Sequence, residues 1–186
     1  MAWLFGKTFK RQAKIMDNIV LIGMPGSGKS TVGVILAKTL GYDFIDTDLL
    51  ISKSQSQTLQ KIIDKQGLKR FLEIESDVIE KLACDRTVIA TGGSAVMSAK
   101  AMANLKAQGN IVYLDVPFDE IERRITNITT RGIAFDKGEN LHTLFEKRTP
   151  LYRQYADITV TVSDRIGSTE AVVAKIIEFL KEYKAL

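Results

Sequence analysis

The chain has 186 residues, of which 45% are hydrophobic and 26% are charged, the composition of an ordinary globular protein. Its length predicts one domain with a single large core. The formal net charge is +4. Apart from a small N-terminal group, the basic residues are spread along the chain, so we expect no nucleic-acid partner.

The one cysteine, Cys84, excludes a disulfide framework or a zinc site within one chain, and its apolar, helical surroundings predict a small core residue. No apolar run reaches the about 18 residues of a membrane-spanning helix, and we expect a cytoplasmic protein. Residues 1–16 place four basic residues after a short apolar stretch that does not fit a signal peptide. We interpret them as an extension ahead of a domain of residues 17–186, with a membrane-surface helix as the alternative.

The strongest pattern lies at residues 19–31. An apolar run, which predicts a buried strand, is followed by Gly-Met-Pro-Gly-Ser-Gly-Lys-Ser at 23–30. These eight residues match G-x-x-x-x-G-K-[ST] at every fixed position. Thr31 to Thr39 predicts the helix that must follow. Strand, loop and helix together indicate a nucleoside triphosphate site, against the alternative of a glycine-rich turn without a ligand.

The residue types of this loop fit phosphate chemistry. Glycines let backbone N–H groups turn inward around a phosphate, helped by the positive end of the following helix. Lys29 supplies a positive charge for the β- and γ-phosphates, and the Ser30 hydroxyl is placed for Mg²⁺. The residues expected to bind ATP here are Gly23, Gly26, Ser27, Gly28, Lys29, Ser30 and Thr31.

Two carboxylates follow the next predicted strand, residues 42–45. We expect Asp46 and Asp48 to lie on the same face at its carboxyl end, beside the phosphate loop. One would support Mg²⁺ or its water shell, and the other would accept a proton from an attacking hydroxyl. The alternative is that either residue only caps the helix that follows.

The rest of the chain alternates strands with helices. Further strands are predicted at 87–91, 111–116 and 158–162, and helices at 58–65, 68–84, 98–107, 118–128, 139–155 and 168–184. Five strands with helices between them predict a parallel sheet covered by helices on both faces. The single His142 is expected on a helix surface or in packing.

Two loops add candidate site residues. Gly92 and Gly93 follow a predicted strand, where glycines permit close approach to a ligand, although a plain tight turn has the same composition. Residues 126–139 contain Arg131, two glycines and little periodicity. They predict a lid that brings Arg131 over the phosphates, with a solvated surface loop as the alternative.

Together these motifs resemble the shikimate kinase family, small P-loop kinases of the nucleoside monophosphate kinase fold. The resemblance runs from about residue 18 to residue 183. It rests on the following motifs and residues: the phosphate loop at 23–31, Asp-Thr-Asp at 46–48, F-x-x-x-E at 71–75, Gly-Gly at 92–93, Arg131, R-x-P-L-Y at 148–152 and Arg165. It implies phosphorylation of a hydroxyl of shikimate by ATP with Mg²⁺. We expect a monomer.

The resemblance also implies a role for each matched residue. Ser30 and Asp46 would hold Mg²⁺, and Asp48 would bind the acceptor's hydroxyls and act as the base. Gly92 and Gly93 would contact the acceptor. Arg131 would bind the phosphates, Arg148 would bind the acceptor's carboxylate, and Arg165 would lie against the adenine.

The sequence departs from the family at the acceptor. The family has an arginine after the phenylalanine, oriented by the residue matching Glu75, and this chain has Leu72 there. Where the family has a third glycine, this chain has Ser94, and its lid has the sequence Arg-Gly-Ile-Ala at 131–134. The loss of a charge-assisted contact leaves two alternatives open. One is a kinase for a different hydroxylated metabolite, and the other is a non-catalytic, ATP-binding regulatory protein.

Overall fold

The computed structural model describes residues 18–125, 132–136, 138–163 and 168–185, without the side chains of 183–185. The N-terminal extension predicted for 1–16 lies outside these residues. Five strands are present: β1 (Asn18–Ile22), β2 (Asp43–Asp46), β3 (Thr87–Ala90), β4 (Gly109–Asp115) and β5 (Ile158–Thr161). Seven α-helices accompany them in the described residues: α1 (Lys29–Leu40), α2 (Thr47–Gln55), α3 (Leu59–Glu80), α4 (Ala99–Gln108), α5 (Phe118–Arg124), α6 (Leu141–Tyr155) and α7 (Thr169–Ala185).

The strands form one parallel sheet in the order β2-β3-β1-β4-β5, which confirms the predicted fold class. Leu21 of β1 lies opposite Ala90 of β3 and Val112 of β4. All five residues of β1 are buried. Because successive side chains point to opposite faces, a strand that is buried throughout must be covered on both sides. The loops after β1, β2 and β3 therefore meet at one edge of the sheet, where ligands bind in this type of fold.

Several boundaries differ from the predictions. Helix α1 begins at Lys29, two residues before the predicted start, because Gly28 already provides its N-cap in a left-handed conformation. The helix predicted at 118–128 ends at Arg124, since Ile125 leaves helical geometry; residues 126–128 lie outside the described residues. The predicted break at Gly67 is present as a kink within α3, with φ of 82°.

Two minor predictions can also be checked. Cys84 was predicted in a helix and instead lies between α3 and β3, half-buried and packed against the main core. His142 lies on the exposed side of α6, with Nδ1 3.6 Å from a carboxylate oxygen of Glu146, as expected for a surface histidine. Across the described parts of the chain, no helix combines the length and hydrophobicity needed to cross a bilayer.

Candidate active site

The loop between β1 and α1 is closed around the side chain of Lys29. Its Nζ donates hydrogen bonds to the carbonyl oxygens of Gly23 and Met24, at 2.8 and 2.9 Å, and lies 3.4 Å from Ser27 Oγ. The side chain is only 8% exposed. The loop therefore holds one ammonium group at the N-terminus of α1, where backbone N–H groups and the helix dipole also favour an anion.

The loop conformation requires glycine at Gly26. Its φ is +81°, and a Cβ there would lie 2.8 Å from Cγ1 of Ile125. A side chain would therefore be strained by both backbone and neighbour. The predicted strand, loop and helix are all present in the arrangement that phosphate binding needs, with Thr31 in the first turn of α1.

Asp46 is the last residue of β2 and the N-cap of α2. Its Oδ1 accepts hydrogen bonds from the backbone N–H groups of Asp48 and Leu49, so Asp46 does cap α2. Its Oδ2 accepts a hydrogen bond of 2.6 Å from the Ser30 hydroxyl. One carboxylate thus fixes the start of α2 and reaches the phosphate loop.

The prediction that Asp46 and Asp48 share a strand face is wrong. The chain turns into α2 at Thr47, which places Asp48 in the first helical turn. The helix nevertheless directs Asp48 into the same cleft as the loop. Asp48 lines a cavity of about 120 Å³ together with Lys29, Ser30, Gly93 and Arg148. The structure therefore brings together the lysine, the carboxylate and the arginine that the sequence singled out.

Gly92 is the point at which two carboxyl groups meet. A Cβ on Gly92 would lie 2.3 Å from Oε1 of Glu75 and 2.6 Å from Oδ1 of Asp48. A side chain at this position would therefore require Glu75 and Asp48 to move. The predicted close approach at this glycine pair is thus an approach to two side chains of the protein itself.

The backbone of the glycine pair is held by neighbouring hydroxyls. Gly92 N–H donates to Oγ1 of Thr47 at 3.0 Å, and Tyr152 O–H donates to the carbonyl oxygen of Gly93 at 2.6 Å. Tyr152 is fully buried and stacks on Tyr113. These bonds fix the backbone of two residues that line the cavity.

Glu75 is a site residue whose environment the sequence did not reveal. It is 2% exposed, and its Oε1 has no hydrogen-bond partner. Burial, and then the negative charge of Asp48, raises the pKa of Glu75 to about 7, although Ser94, Arg148 and Lys29 act in the opposite direction. The only sequence signal was its place in F-x-x-x-E, which gave no indication of this burial.

Arg148 is 4% exposed and projects from α6 into the cavity. Its Nη2 donates a hydrogen bond of 2.8 Å to the carbonyl oxygen of Ala134, while its Nε is buried without a partner. Ile133 and Ala134, within the predicted lid, are 7% and 4% exposed. The surface-loop alternative is therefore wrong for these two residues. They are packed in the molecule, with Ala134 against α2 and α3.

Arg131 and Arg165 lie outside the described residues, as does most of the first half of the lid. The described chain on either side of 164–167 borders a cavity of about 300 Å³, which Gly26, Ser27 and Gly28 of the phosphate loop also line. Arg124 lines this cavity and forms an ion pair of 2.8 Å with Glu120. The sequence analysis did not select Arg124 as a site residue. The position of Arg124 at the end of α5 was the feature that could have indicated it.

Leu72 borders a further cavity of about 470 Å³ beside the acceptor side of the cleft. Leu68 and Met97 contribute apolar wall, and Ser94 lines both this cavity and the one that holds Asp48. Leu72 itself packs against the small core formed by α2, α3 and Ala134. The position that departs from the family pattern is thus an apolar wall.

The fold and the cleft define a P-loop phosphotransferase. The family model "Shikimate kinase" matches residues 25–181. A shikimate kinase from Nostoc punctiforme is 43% identical over 168 residues, covering 88% of this chain and 90% of the relative. One from Thermodesulfovibrio yellowstonii is 38% identical, covering 92% and 97%.

Solved structures agree with these relatives. Shikimate kinase from Acinetobacter baumannii in complex with shikimate has a TM-score of 0.83 and 32% identity, covering 90% of this chain and 94% of that one. The Aquifex aeolicus enzyme has a TM-score of 0.72 and 31% identity, covering 90% and 98%. The chain belongs to the shikimate kinase family and is an ATP-dependent phosphotransferase that acts on a hydroxyl group.

Proposed function

We propose that this protein transfers the γ-phosphoryl group of ATP to a hydroxyl of shikimate, producing 3-phosphoshikimate for aromatic amino-acid biosynthesis. The observation that carries the proposal is one small cavity lined by Lys29, Asp48 and Arg148 together. These three side chains supply a cation for the phosphates, a base for the hydroxyl and a cation for the acceptor's carboxylate. A related enzyme of similar fold holds shikimate.

In the proposed reaction, the acceptor oxygen attacks the γ-phosphorus as its proton passes to the Asp48 carboxylate. The bond between the γ-phosphorus and the bridging oxygen breaks, and ADP leaves with that electron pair. Lys29 and the N–H groups at the start of α1 stabilise the negative charge on the transferring group and on ADP. Arg148, which lines the same cavity, would bind the acceptor's carboxylate.

Mg²⁺ fits the donor set beside the loop. Ser30 Oγ and Asp46 Oδ2 are hard oxygen ligands 2.6 Å apart. Among the described residues, no group of three or more His, Cys, Asp or Glu side chains could hold a metal by itself. Ser30 and Asp46 would therefore share the ion with the nucleotide and water, and the ion would offset charge on the β- and γ-phosphates.

The remaining predicted roles belong to the same proposal. Arg131 would approach the phosphates from the lid, and Arg165 would lie against the adenine. We propose that the protein acts as a monomer in the cytoplasm.

A coupled assay of ADP release tests the proposal. With millimolar shikimate, ATP and Mg²⁺, we expect turnover well above the ATPase background. Absence of turnover above that background would exclude shikimate as the acceptor.

One observation favours a second candidate, a different hydroxylated metabolite. Leu72 gives the acceptor side an apolar wall and no positive charge, so an acceptor needing one arginine would suit the site. A panel of polyols and hydroxy acids separates the candidates. If the acceptor is a different metabolite, another compound in the panel must have a higher kcat/KM than shikimate. A Leu72→Arg variant must then gain activity with shikimate.

A further inference from the structure

A small cavity lies at the edge of the sheet where the strands begin, opposite the edge that carries the cleft. Its volume is about 140 Å³. Five of the residues that line it are apolar or aromatic, and they come from β1, from the end of α1, from the turn before β2 and from α7: Ile19, Leu40, Tyr42, Ile177 and Leu180. An apolar cavity of about 150 Å³ binds benzene, so this cavity offers room for one aromatic ring.

The wall of this cavity also contains a buried amide, that of Asn110. Asn110 is 7% exposed and pairs in register with Ile19. Paired residues of neighbouring parallel strands stand on the same face of the sheet, so the Asn110 side chain faces the cavity together with Ile19. No described residue forms a hydrogen bond with this amide. Because buried polar groups are normally paired, the geometry calls for an occupant with a ring and a hydrogen-bonding group.

The chain enters the described structure beside this cavity. Asn18, the first residue of β1, donates a hydrogen bond of 2.8 Å to the carbonyl oxygen of Cys84 and accepts one of 3.0 Å from the N–H group of Thr87. The next residue, Ile19, lines the cavity. Residues 1–17, which lie outside the described part of the chain, are therefore attached at a fixed point next to the cavity.

These seventeen residues contain the one tryptophan of the protein, Trp3. Its indole combines an apolar ring with an N–H donor, and a buried tryptophan usually finds a partner for that donor. Phe5 and Phe9 supply rings without a donor. Residues 4–17 can span about 45 Å when extended, which is more than enough to bring Trp3 back to the start of β1.

The attachment favours the chain's own indole over other occupants. A short flexible tether presents its end group at about millimolar effective concentration. At micromolar protein, Trp3 of the same chain therefore has about a thousandfold advantage over Trp3 of a second copy. The entropy cost of closing the loop rises only with the logarithm of its length.

We propose that the Trp3 indole occupies this cavity, with its N–H group donating a hydrogen bond to the side-chain oxygen of Asn110. The N-terminal segment then covers the core between the ends of α1 and α7. The site lies at the opposite end of α1 from Lys29, about 18 Å along that helix. It is therefore separate from the proposed reaction and does not depend on which acceptor is phosphorylated.

The fluorescence of Trp3 reports on the site in the full-length protein, because no other tryptophan contributes. We expect emission at shorter wavelength than in concentrated urea, and quenching by acrylamide that is several-fold weaker. The same emission maximum and the same quenching in buffer as in urea would show a solvated indole and would overturn the proposal.

A matched pair of variants assigns the protection to this cavity. Ile177→Lys places a charge in the wall, and its quenching should rise to the level of a solvated indole. Ile63→Lys changes another half-buried isoleucine, on α3 and away from the cavity, and should retain the parent's quenching. A cooperative urea transition checks that each variant is folded. Parent-like quenching in a folded Ile177→Lys would overturn the proposal.

A second measurement needs no substitution and so does not depend on how the variants fold. In the parent chain, nuclear Overhauser contacts should join the indole protons of Trp3 to the methyl groups of Ile19 and Ile177. Absence of these contacts would overturn the proposal.

Two other occupants are outcomes of the same experiment. Protection from acrylamide should be independent of protein concentration, and protection that is lost on dilution would assign the indole to a second copy. Vesicles of phosphatidylglycerol and phosphatidylcholine should leave the quenching unchanged. Quenching that weakens only when these vesicles are added would assign Trp3 to a membrane surface. Either result would overturn the proposal and leave the proposed function standing.

Discussion

The two sides of the cleft differ in how their polar groups are satisfied. On the nucleotide side, Lys29 donates to carbonyl oxygens of its own loop, and Asp46 accepts from Ser30 and from the start of α2. On the acceptor side, Glu75 Oε1 and Arg148 Nε are buried without partners. Unpaired buried groups destabilise a protein, so the acceptor side is the less favourably bonded of the two.

This difference predicts unequal responses to mutation. Changes on the nucleotide side should affect the rate of transfer, because its groups act on the phosphates in every turnover. Changes on the acceptor side should affect stability, pH dependence and the KM for the acceptor.

The largest effect is expected at the junction of the two sides. Asp48→Asn removes the proposed base and should lower kcat by about a thousandfold, with the Kd for ATP little changed. Steady-state kinetics and ATP binding measure the two quantities. Asp43→Asn, at the exposed start of β2, is the control and should retain the parent rate. A decrease in kcat of less than tenfold would show that Asp48 is not the base.

On the nucleotide side, Lys29→Met removes the charge that the phosphate loop holds. We expect kcat to fall several hundredfold, since one preorganised electrostatic contact in an active site contributes about 10²–10³ to the rate. Lys38→Met, on the exposed part of the same helix, should change kcat less than twofold. Similar losses in the two variants would indicate that the helix, and not the ammonium group at the loop, was disturbed.

On the acceptor side, Glu75 should make folding depend on pH. Its pKa is about 7 in the folded protein against 4.5 in the unfolded chain, so the folded state binds the proton more tightly. The resulting stability is fully present below pH 4.5 and is lost as the pH rises through 7. Between pH 4.5 and 8.5, the free energy of unfolding of the parent should fall by about 3 kcal/mol relative to Glu75→Gln.

Urea denaturation at several pH values measures this difference. Glu73→Gln, on the exposed face of α3, is the matched control and should follow the parent. Parallel stability profiles for the parent and Glu75→Gln would mean that Glu75 ionises freely in the folded protein.

The smallest effect is expected at Gly92. Gly92→Ala places a methyl group against Glu75 and Asp48, and relief by rotation of those side chains should raise the KM for shikimate about tenfold, an acceptor-side loss of about 1–2 kcal/mol. Gly67→Ala, whose added Cβ would meet nothing within 4 Å, should affect stability only. Unchanged KM in Gly92→Ala would indicate that the two carboxyl groups can separate freely.

The sequence predicted the phosphate loop between β1 and α1, because backbone geometry and a fixed spacing determine it. Gly28, Lys29 and Ser30 lie where the motif requires. The acceptor side depends on contacts between distant parts of the chain. The meeting of Glu75, Asp48 and Gly92 joins α3, α2 and the loop after β3, and no local pattern reports it. The wrong prediction that Asp46 and Asp48 share a strand face has a similar cause. The alternation of residues along a strand could not show that the strand ends at Asp46, which caps α2.

The central claim is that the phosphate loop and the cavity lined by Lys29, Asp48 and Arg148 together phosphorylate shikimate. Phosphorus-31 NMR of a reaction with ATP, Mg²⁺ and shikimate tests it most directly. The account predicts a new phosphate monoester resonance that grows with ADP in a 1:1 ratio and requires Asp48. ADP accompanied only by inorganic phosphate, with no ester, would contradict it.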